Sequence, residues 1–339
     1  MRAALMTGYH QPLELLDRPA PEPVAPTDVV VRVGGAGVCA TDLHAIDALM
    51  EQAGVAPPRI LGHENAGWVE AVGSAVTTVV PGDAVILYPP QTCGLCLACR
   101  RGLEMQCERH EFTGLSVDGG FAEFLRVPER SLLKLPAGIE PAAVAPHADA
   151  GLTAYHAVRR VAHLARPGST SVILGVGGVG HVAVQLMRIL GAGGVVASET
   201  DERRRKLALE LGADAAVDGS EAVAAVRDLT GGVGADVVVD FVGTDRSHAD
   251  GLAMLGRSGT YSVVGYGGTV TTGSVPLVVN ELTIMGNLVG SWVDLWELIQ
   301  LHAAGRLALR TERHPLEAVN EVVERLRAGD VVGRAVLVP

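Results

Sequence analysis

Two patterns of hydrophobic residues divide the chain. Residues 1–149 contain short apolar runs such as VVVRV and DAVILY, which are separated by turns that contain Pro and Gly. From about residue 150 onward, runs of β-branched residues alternate with amphipathic stretches of helical spacing. The first pattern predicts a partly open β-barrel. The second pattern predicts a doubly wound domain, in which right-handed crossovers join the strands of a parallel sheet.

Four apolar runs in the second half are predicted to form the parallel strands. They lie at residues 171–174, 193–199, 237–243 and 259–268. Gly243 and Gly265 lie at the carboxyl ends of the last two runs, where such a sheet opens onto a bound ligand. Two helical patterns follow residue 289, and the apolar run GRAVLVP after them is predicted to be a strand.

Four of the five cysteines lie close together in the stretch CGLCLACRRGLEMQC, which we call the cysteine loop (residues 93–107). Cys93, Cys96, Cys99 and Cys107 have the spacing C-x2-C-x2-C-x7-C. Four thiolates around Zn²⁺ form a closed tetrahedral site with no position left for water or substrate, so we expect a structural zinc here. Free thiols, two disulfides and an iron–sulfur cluster are the alternatives.

Composition and charge narrow the class of protein. The chain has 339 residues, of which 48% are hydrophobic, which is enough to bury two domain cores. Its net charge is −11, so we expect no nucleic-acid partner. The N-terminal region resembles no signal peptide, and no apolar run approaches the roughly 20 residues that span a bilayer. We therefore expect a cytoplasmic protein with no membrane partner, and in that reducing compartment clustered cysteines favour a metal over disulfides.

A glycine-rich turn follows the first of the predicted parallel strands, in TSVILGVGGVGHVAVQLMRILGA. Gly175, Gly177 and Gly180 form the pattern G-x-G-x-x-G, with Gly178 and Val179 inside it. Between a strand and a helix, this pattern is typical of a Rossmann turn in which the helix N terminus faces a pyrophosphate.

The acidic residue Glu199 indicates which dinucleotide binds. It ends the next predicted strand, where a carboxylate accepts hydrogen bonds from the ribose hydroxyls of adenosine and repels a 2′-phosphate. NAD is therefore favoured over NADP. The alternative is that the basic residues 203–205 reach a 2′-phosphate from the start of the following helix.

Two stretches of the first half carry further candidate ligands. Cys39 lies in GVCATDLH, and His63 and Glu64 lie in GHENAGWVEAVGSAV, which has the pattern G-H-E-x2-G-x5-G. With the cysteine loop, these stretches resemble the zinc-dependent medium-chain alcohol dehydrogenases of the medium-chain dehydrogenase/reductase superfamily. The resemblance covers essentially the whole chain.

The resemblance implies a second, catalytic zinc, and therefore two zinc ions per chain. Cys39 and His63 correspond to the first two ligands. The third ligand of the family falls just before GLTAY in the stretch HADAGLTAY, where Asp149 is the predicted ligand and His147 is the alternative. Glu64 resembles the neighbouring residue that acts as an alternate ligand in the family.

The resemblance also implies a proton path and two cofactor contacts. Thr41 corresponds to the hydroxyl group that accepts the substrate proton, and His44 to the histidine that passes it to solvent. Thr153 resembles the residue that meets the nicotinamide ring. Arg334 resembles the arginine that pairs with the pyrophosphate.

The implied fold is α/β, with a GroES-like catalytic domain and a Rossmann domain. The catalytic domain comprises residues 1–149 and 290–339, with the cysteine loop as its structural zinc lobe, and the NAD-binding domain comprises 150–289. The implied function is reversible hydride transfer between a primary or secondary alcohol and NAD, which yields an aldehyde or ketone. A homo-oligomer is expected, with a tetramer favoured over a dimer. The alternatives are a polyol or amino-alcohol dehydrogenase of the same superfamily, or a nucleotide-binding sensor that zinc stabilises and that has no turnover.

Overall fold

Contacts divide the protein into two compact units. The computed structural model describes residues 1–52 and 54–339. Unit 1 comprises Met1–Leu152 and Ser291–Pro339, and unit 2 comprises Thr153–Gly290. The predicted boundaries, after residues 149 and 289, lie within three residues of these divisions. Among the described residues, none of the helices combines the length and apolarity needed to cross a bilayer.

The first segment of unit 1 is mostly strand. Its elements are β1 (Arg2–Met6), β2 (Glu14–Asp17), β3 (Asp28–Val38), α1 (Ala40–Ile46), β4 (Arg59–Ile60), β5 (Glu64–Val72), β6 (Ala84–Leu87), β7 (Pro90–Gln91), α2 (Leu97–Arg100), β8 (Glu111–Phe112), β9 (Phe124–Pro128), β10 (Leu132–Lys134) and α3 (Pro141–Val144). Helix α4 (Ala150–Val161) crosses the boundary at residue 152.

Strands and helices alternate in unit 2, and the chain then returns to unit 1. The elements of unit 2 are β11 (Thr170–Leu174), α5 (Gly180–Leu190), β12 (Gly194–Glu199), α6 (Glu202–Glu210), β13 (Ala215–Asp218), α7 (Ala222–Leu229), β14 (Ala235–Asp240), α8 (Asp245–Met254), β15 (Leu255–Val263), α9 (Ser274–Val279) and β16 (Thr283–Gly286). The returning segment adds α10 (Trp292–Ala303), β17 (Thr311–Pro315), α11 (Val319–Arg327) and β18 (Arg334–Val338).

Strand β3 organises the main sheet of unit 1. The strand order is β10-β6-β5-β3-β18-β17, and β9 also pairs with β3. Most residues of β3 are buried, because its sequence DVVVRVGGAGV carries apolar or small side chains on both faces. The core around it includes Met6, Leu61 and Phe121. The strand that was predicted at GRAVLVP is β18, and it lies antiparallel beside β3.

The parallel sheet that was predicted for the second half is confirmed in unit 2. Its order is β13-β12-β11-β14-β15-β16, and every pairing is parallel. The chain reverses its direction of strand addition between β11 and β14, which is the switch point where such sheets bind ligands. Two predicted strands end early, at Asp240 and Val263, because the chain turns at the glycines that follow them.

Candidate active site

The predicted ligands of the catalytic metal lie together in unit 1. Cys39 follows the end of β3, and His63 directly precedes β5. These antiparallel strands pair Gly37 with Glu64, so Cys39 and His63 lie at the same end of the sheet. Asp149 directly precedes α4. The ligand atoms of Cys39, His63, Glu64 and Asp149, which we call the Cys39 cluster, all lie within 4.8 Å of one another.

Acidic and thiol groups surround the buried imidazole of His63. Its Nε2 lies 3.5 Å from Oδ2 of Asp149, and Sγ of Cys39 lies 4.0 Å from the same oxygen. Within the described residues, neither ring nitrogen of His63 has a hydrogen bond of normal geometry, although the residue is only 1% exposed. A buried polar ring without such partners is costly, and a bound cation removes that cost. Thiolate, imidazole and carboxylate are zinc ligands, and three of them leave one position open, so the cluster fits a catalytic zinc.

Asp42 has no predicted role, yet it supports two parts of this cluster. Its Oδ2 accepts the N–H of Cys39 at 2.9 Å, and its Oδ1 accepts the N–H of Gly62 at 3.3 Å. The same Oδ1 lies 3.3 Å from Nδ1 of His63. Burial alone would lower the pKa of His63, but the Asp42 and Asp149 carboxyl groups raise it well above its usual value. An acidic residue three positions after a helix N-cap is a capping pattern, so the sequence does contain a signal for Asp42.

Glu64 connects the Cys39 cluster to β18 and α4. Its Oε2 forms an ion pair with Nη2 of Arg334 at 2.5 Å, and its Oε1 accepts the N–H of Ala150 at 3.0 Å. Burial raises the pKa of Glu64, and the charge of Arg334 opposes this shift. A Cβ at Gly37 would overlap the Glu64 side chain, so glycine at this position leaves room for the ion pair. The contact of Arg334 with a pyrophosphate stays a prediction.

Helix α1 carries the two residues that are predicted to move a proton. Thr41 and His44 are both partly exposed on this helix, which begins directly after Cys39. Burial lowers the pKa of His44, and the nearby Asp47 opposes the shift. A lowered pKa favours the neutral imidazole near pH 7, which is the form that accepts a proton.

His147, the alternative third ligand, lies beside a different residue. It is fully buried, and its Nε2 lies 3.1 Å from Nδ1 of His302 on α10. Among the described residues, the grouping around Cys39 contains Asp149 and not His147.

The four sulfur atoms of the cysteine loop are spaced for a single ion. The Sγ of Cys107 lies 3.6 Å from that of Cys93 and 3.9 Å from that of Cys96. All four cysteines are free thiols in the structure. The two distances agree with the edge of about 3.8 Å of a tetrahedron that has Zn–S bonds of about 2.3 Å. Backbone N–H groups that donate to the sulfur lower the pKa of Cys93 to about 6, whereas burial raises the pKa of Cys99 to about 12.

The glycine-rich turn lies at the carboxyl end of β11, and Gly177, Gly178 and Val179 form its middle part. Gly175 has φ of 82°, in the left-handed region that favours glycine. A Cβ at Gly180 would overlap the carbonyl group of Gly175, so the close turn into α5 requires glycine there. The turn therefore presents backbone and a helix N terminus to a ligand.

The carboxyl group of Glu199 is held beside this turn. Its Oε2 accepts the N–H of Val176 at 2.8 Å, and its Oε1 accepts the N–H groups of Thr200 at 2.8 Å and Asp201 at 3.1 Å. The carboxyl group therefore lies next to the glycine-rich turn. Thr153, the predicted nicotinamide contact, lies on α4 and is half-buried.

The arginines that follow Glu199 are paired with carboxyl groups. Nη2 of Arg203 lies 2.6 Å from Oδ2 of Asp201, and Nη1 of Arg205 lies 2.9 Å from Oδ2 of Asp218. A 2′-phosphate would therefore compete with these carboxyl groups for both guanidinium groups.

Two family models match the chain. Residues 25–137 match the model described as alcohol dehydrogenase GroES-like domain, and residues 178–304 match the model described as zinc-binding dehydrogenase. An alcohol dehydrogenase of Geobacillus stearothermophilus is 34% identical over 347 residues, which cover 99% of this chain and 98% of the relative. The chain belongs to the zinc-dependent medium-chain dehydrogenase/reductase family.

Other proteins of this medium-chain dehydrogenase/reductase group are similar over their full length. An NAD-dependent alcohol dehydrogenase of Sulfurisphaera tokodaii is 32% identical, and the match covers 100% of both chains. The crystal structure of the alcohol dehydrogenase of the archaeon Aeropyrum pernix has a TM-score of 0.97 at 43% identity and also covers 100% of both chains. The predicted family is confirmed, as is the predicted fold of a GroES-like, partly open barrel with a doubly wound Rossmann domain.

Proposed function

We propose that this chain is a zinc-dependent alcohol dehydrogenase, which transfers hydride reversibly between a primary or secondary alcohol and NAD. The observation that carries the proposal is the Cys39 cluster, in which the ligand atoms of a thiol, an imidazole and two carboxyl groups lie within 4.8 Å of one another. The similarity to alcohol dehydrogenases over the whole chain supports the reaction class.

The residues of the Cys39 cluster have distinct proposed roles. Cys39, His63 and Asp149 would hold the catalytic zinc, and Glu64 would serve as an alternate ligand. A zinc ion with these ligands supplies Lewis-acid chemistry, which lowers the pKa of an alcohol and stabilises the negative charge that develops on a carbonyl oxygen. Oδ1 of Asp42, which lies 3.3 Å from Nδ1 of His63, would hold the ring so that Nε2 faces Asp149.

Thr41 and His44 form the proposed proton path. The Thr41 hydroxyl group accepts the proton that the alcohol loses, and His44 passes it to solvent. The partial exposure of both side chains on α1 and the lowered pKa of His44 support these roles.

Unit 2 is the proposed NAD-binding unit. The pyrophosphate would lie at the turn from Gly175 to Gly180, where backbone N–H groups and the dipole of α5 favour an anion. Glu199 would bind the adenosine ribose, and the pairing of Arg203 and Arg205 with carboxyl groups supports NAD over NADP.

The remaining contacts and the assembly complete the proposal. Thr153 would contact the nicotinamide ring, and Arg334 the pyrophosphate. The cysteine loop would hold a second, structural zinc.

We also propose a homotetramer in the cytoplasm, which light scattering and cell fractionation would test.

The test is a screen for reduction of NAD and NADP by the zinc-loaded protein. The substrates are primary, secondary, cyclic and aromatic alcohols, together with polyols and amino alcohols. We expect turnover of simple alcohols with NAD and a lower kcat/KM with NADP. A preference for polyols or amino alcohols would favour the alternative enzyme of the same superfamily. Absence of turnover with every substrate, in protein that carries both zinc ions, would contradict the proposal.

A further inference from the structure

The carboxyl end of β14 carries a buried polar network that has no role in the proposed chemistry. Asp240, the last residue of β14, is 0% exposed. Its Oδ2 accepts hydrogen bonds from the hydroxyl groups of Tyr261 at 2.6 Å and Ser247 at 2.8 Å. Nδ1 of His248 lies 2.8 Å from the Tyr261 oxygen. Because Tyr261 gives its only hydroxyl proton to Asp240, the His248 ring must donate to Tyr261. We call these four residues the Asp240 network.

The remaining acceptors of Asp240 hold two neighbouring turns. Its Oδ1 accepts the N–H groups of Val242 at 2.7 Å and Gly243 at 3.1 Å. Its main-chain oxygen accepts the N–H groups of Val264 and Gly265, both at 2.9 Å. Gly243 has φ of 76°, and a Cβ there would overlap the backbone of Gly265. One buried residue thus fixes the turns that follow both β14 and β15.

The first of these turns adjoins the glycine-rich nucleotide turn. The N–H of Phe241 donates to the carbonyl oxygen of Leu174 at 2.9 Å, at the end of β11. A Cβ at Gly175 would lie only 2.7 Å from Cγ2 of Val242. A displacement of the residues in the Asp240 network would therefore also displace the glycine-rich turn.

The strand order indicates which half of NAD these turns face. Strand β11, which leads to the proposed pyrophosphate site, lies between β12 and β14. Glu199 ends β12 and is the proposed contact of the adenosine ribose, so the adenosine half lies on the β12 side. A dinucleotide that crosses the switch point then has its nicotinamide half on the β14 and β15 side. This step rests on the proposed function, namely on NAD as the cofactor.

We propose that the Asp240 network positions the two turns that receive the nicotinamide half of NAD. Asp240, Tyr261 and Ser247 are positioning residues, because they act through the backbone of the turns. Burial, followed by the nearby Asp240, raises the pKa of Tyr261 above its usual value, so its hydroxyl group remains a donor. The buried carboxyl group of Asp240 accepts four hydrogen bonds, and removal of the Tyr261 hydroxyl group takes away one of them. Hydrogen bonds to a carboxylate are among the stronger hydrogen bonds in proteins.

The test compares two ligands that differ only by the nicotinamide ring, which ADP-ribose lacks. Isothermal titration of the full-length protein measures the Kd of NAD and of ADP-ribose, for the wild type and for Tyr261→Phe. We expect Tyr261→Phe to raise the Kd of NAD about tenfold and to leave the Kd of ADP-ribose nearly unchanged. Ser247→Ala, which removes the other hydroxyl donor to Oδ2, should weaken NAD binding with the same selectivity. A purely structural role would not distinguish the two ligands.

The control is Tyr9→Phe, which removes the hydrogen bond from a tyrosine hydroxyl group to the carbonyl oxygen of Val55 in unit 1. It should leave both Kd values unchanged. Equal weakening of NAD and ADP-ribose by Tyr261→Phe, or a lower unfolding temperature with no change in either Kd, would overturn the inference alone. A wild-type protein that binds ADP-ribose and NAD with no measurable affinity would overturn the proposed function, and the inference with it.

Discussion

The cysteine loop and the Cys39 cluster lie in the same unit, but their residues come together in different ways. All four cysteines of the loop lie within residues 93–107, and three of them are partly exposed. In the Cys39 cluster, the sheet brings Cys39 and Asp149 together over a separation of 110 residues. The first arrangement needs only a local turn, whereas the second needs a folded domain. We therefore expect a zinc ion bound by the cysteine loop to stabilise the fold and a zinc ion bound by the Cys39 cluster to serve catalysis, and we expect each ion to be removable without the other.

The strongest test of this separation is Cys39→Ser. We expect the rate of NAD reduction to fall roughly 10³-fold or more, because the metal contributes several kcal/mol to the barrier. Metal analysis should show one zinc per chain in place of two, with the unfolding temperature little changed. Ala40→Ser, an exposed neighbour on α1, is the control and should retain both ions. Full activity of Cys39→Ser with the loop zinc alone would refute the proposed mechanism.

The reciprocal test is Cys96→Ser in the cysteine loop. Since the binding free energy of a structural zinc is part of the folding energy, we expect the unfolding temperature to fall by roughly 10 °C. The kcat of the protein that remains folded should be close to that of the wild type. Leu97→Ser, at a residue of the same loop that is 59% exposed, is the matched control for differential scanning calorimetry. Loss of kcat at unchanged stability would contradict the structural assignment.

A finer test changes a residue that supports only the Cys39 cluster. Asp42→Asn keeps the shape of the side chain but weakens its interaction with Nδ1 of His63. Carboxyl groups that contact the second ring nitrogen of a metal-binding histidine increase the affinity for the metal. We therefore expect the affinity of the Cys39 cluster for zinc to fall about 10- to 100-fold. Competition with a chromophoric chelator measures this, and the loop zinc should be unaffected. Asp47→Asn, which breaks an ion pair with Arg327, is the control. Equal affinities in the two variants would exclude the supporting role of Asp42.

The smallest expected effect concerns the proton path beside the Cys39 cluster. Burial lowers the pKa of His44, against the opposing effect of Asp47. Neutral imidazole accepts the proton, so alcohol oxidation should slow as the pH falls through that lowered pKa. His44→Gln should remove this acidic limb from the profile of kcat against pH and reduce kcat by about tenfold or less, because water can replace the side chain. The exposed His163 provides the control His163→Gln. Identical profiles for both variants would rule out His44 as the proton carrier.

Features whose residues lie close together in sequence were the most predictable. The spacing of the cysteines and the run of Gly175, Gly177 and Gly180 each describe one loop, so local rules suffice. The third member of the Cys39 cluster required the resemblance to a family. His147 and Asp149 lie two residues apart, and only the backbone between α3 and α4 determines which of them comes near Cys39.

Several features have no signal in the local sequence. Strands β13 and β16 lie at the two edges of the sheet in unit 2, and they are short and incompletely buried, so they show no apolar run. The Asp240 network joins residues of β14, α8 and β15, whose side chains meet only once the sheet has formed. The capping position of Asp42 is visible in the sequence, but its contacts near His63 are not, because Gly62 and His63 come close to its carboxyl group only when β5 pairs with β3.

Strand β18 has a consequence for the order of folding during synthesis. It pairs with β3, which leaves the ribosome on the order of 300 residues earlier. It also carries Arg334, the ion-pair partner of Glu64. Unit 2 is one unbroken segment, so its sheet can close while the ribosome is still at work. The main sheet of unit 1 is complete only after β18 has emerged. We therefore expect nascent chains to form the parallel sheet of unit 2 before the main sheet of unit 1 is complete.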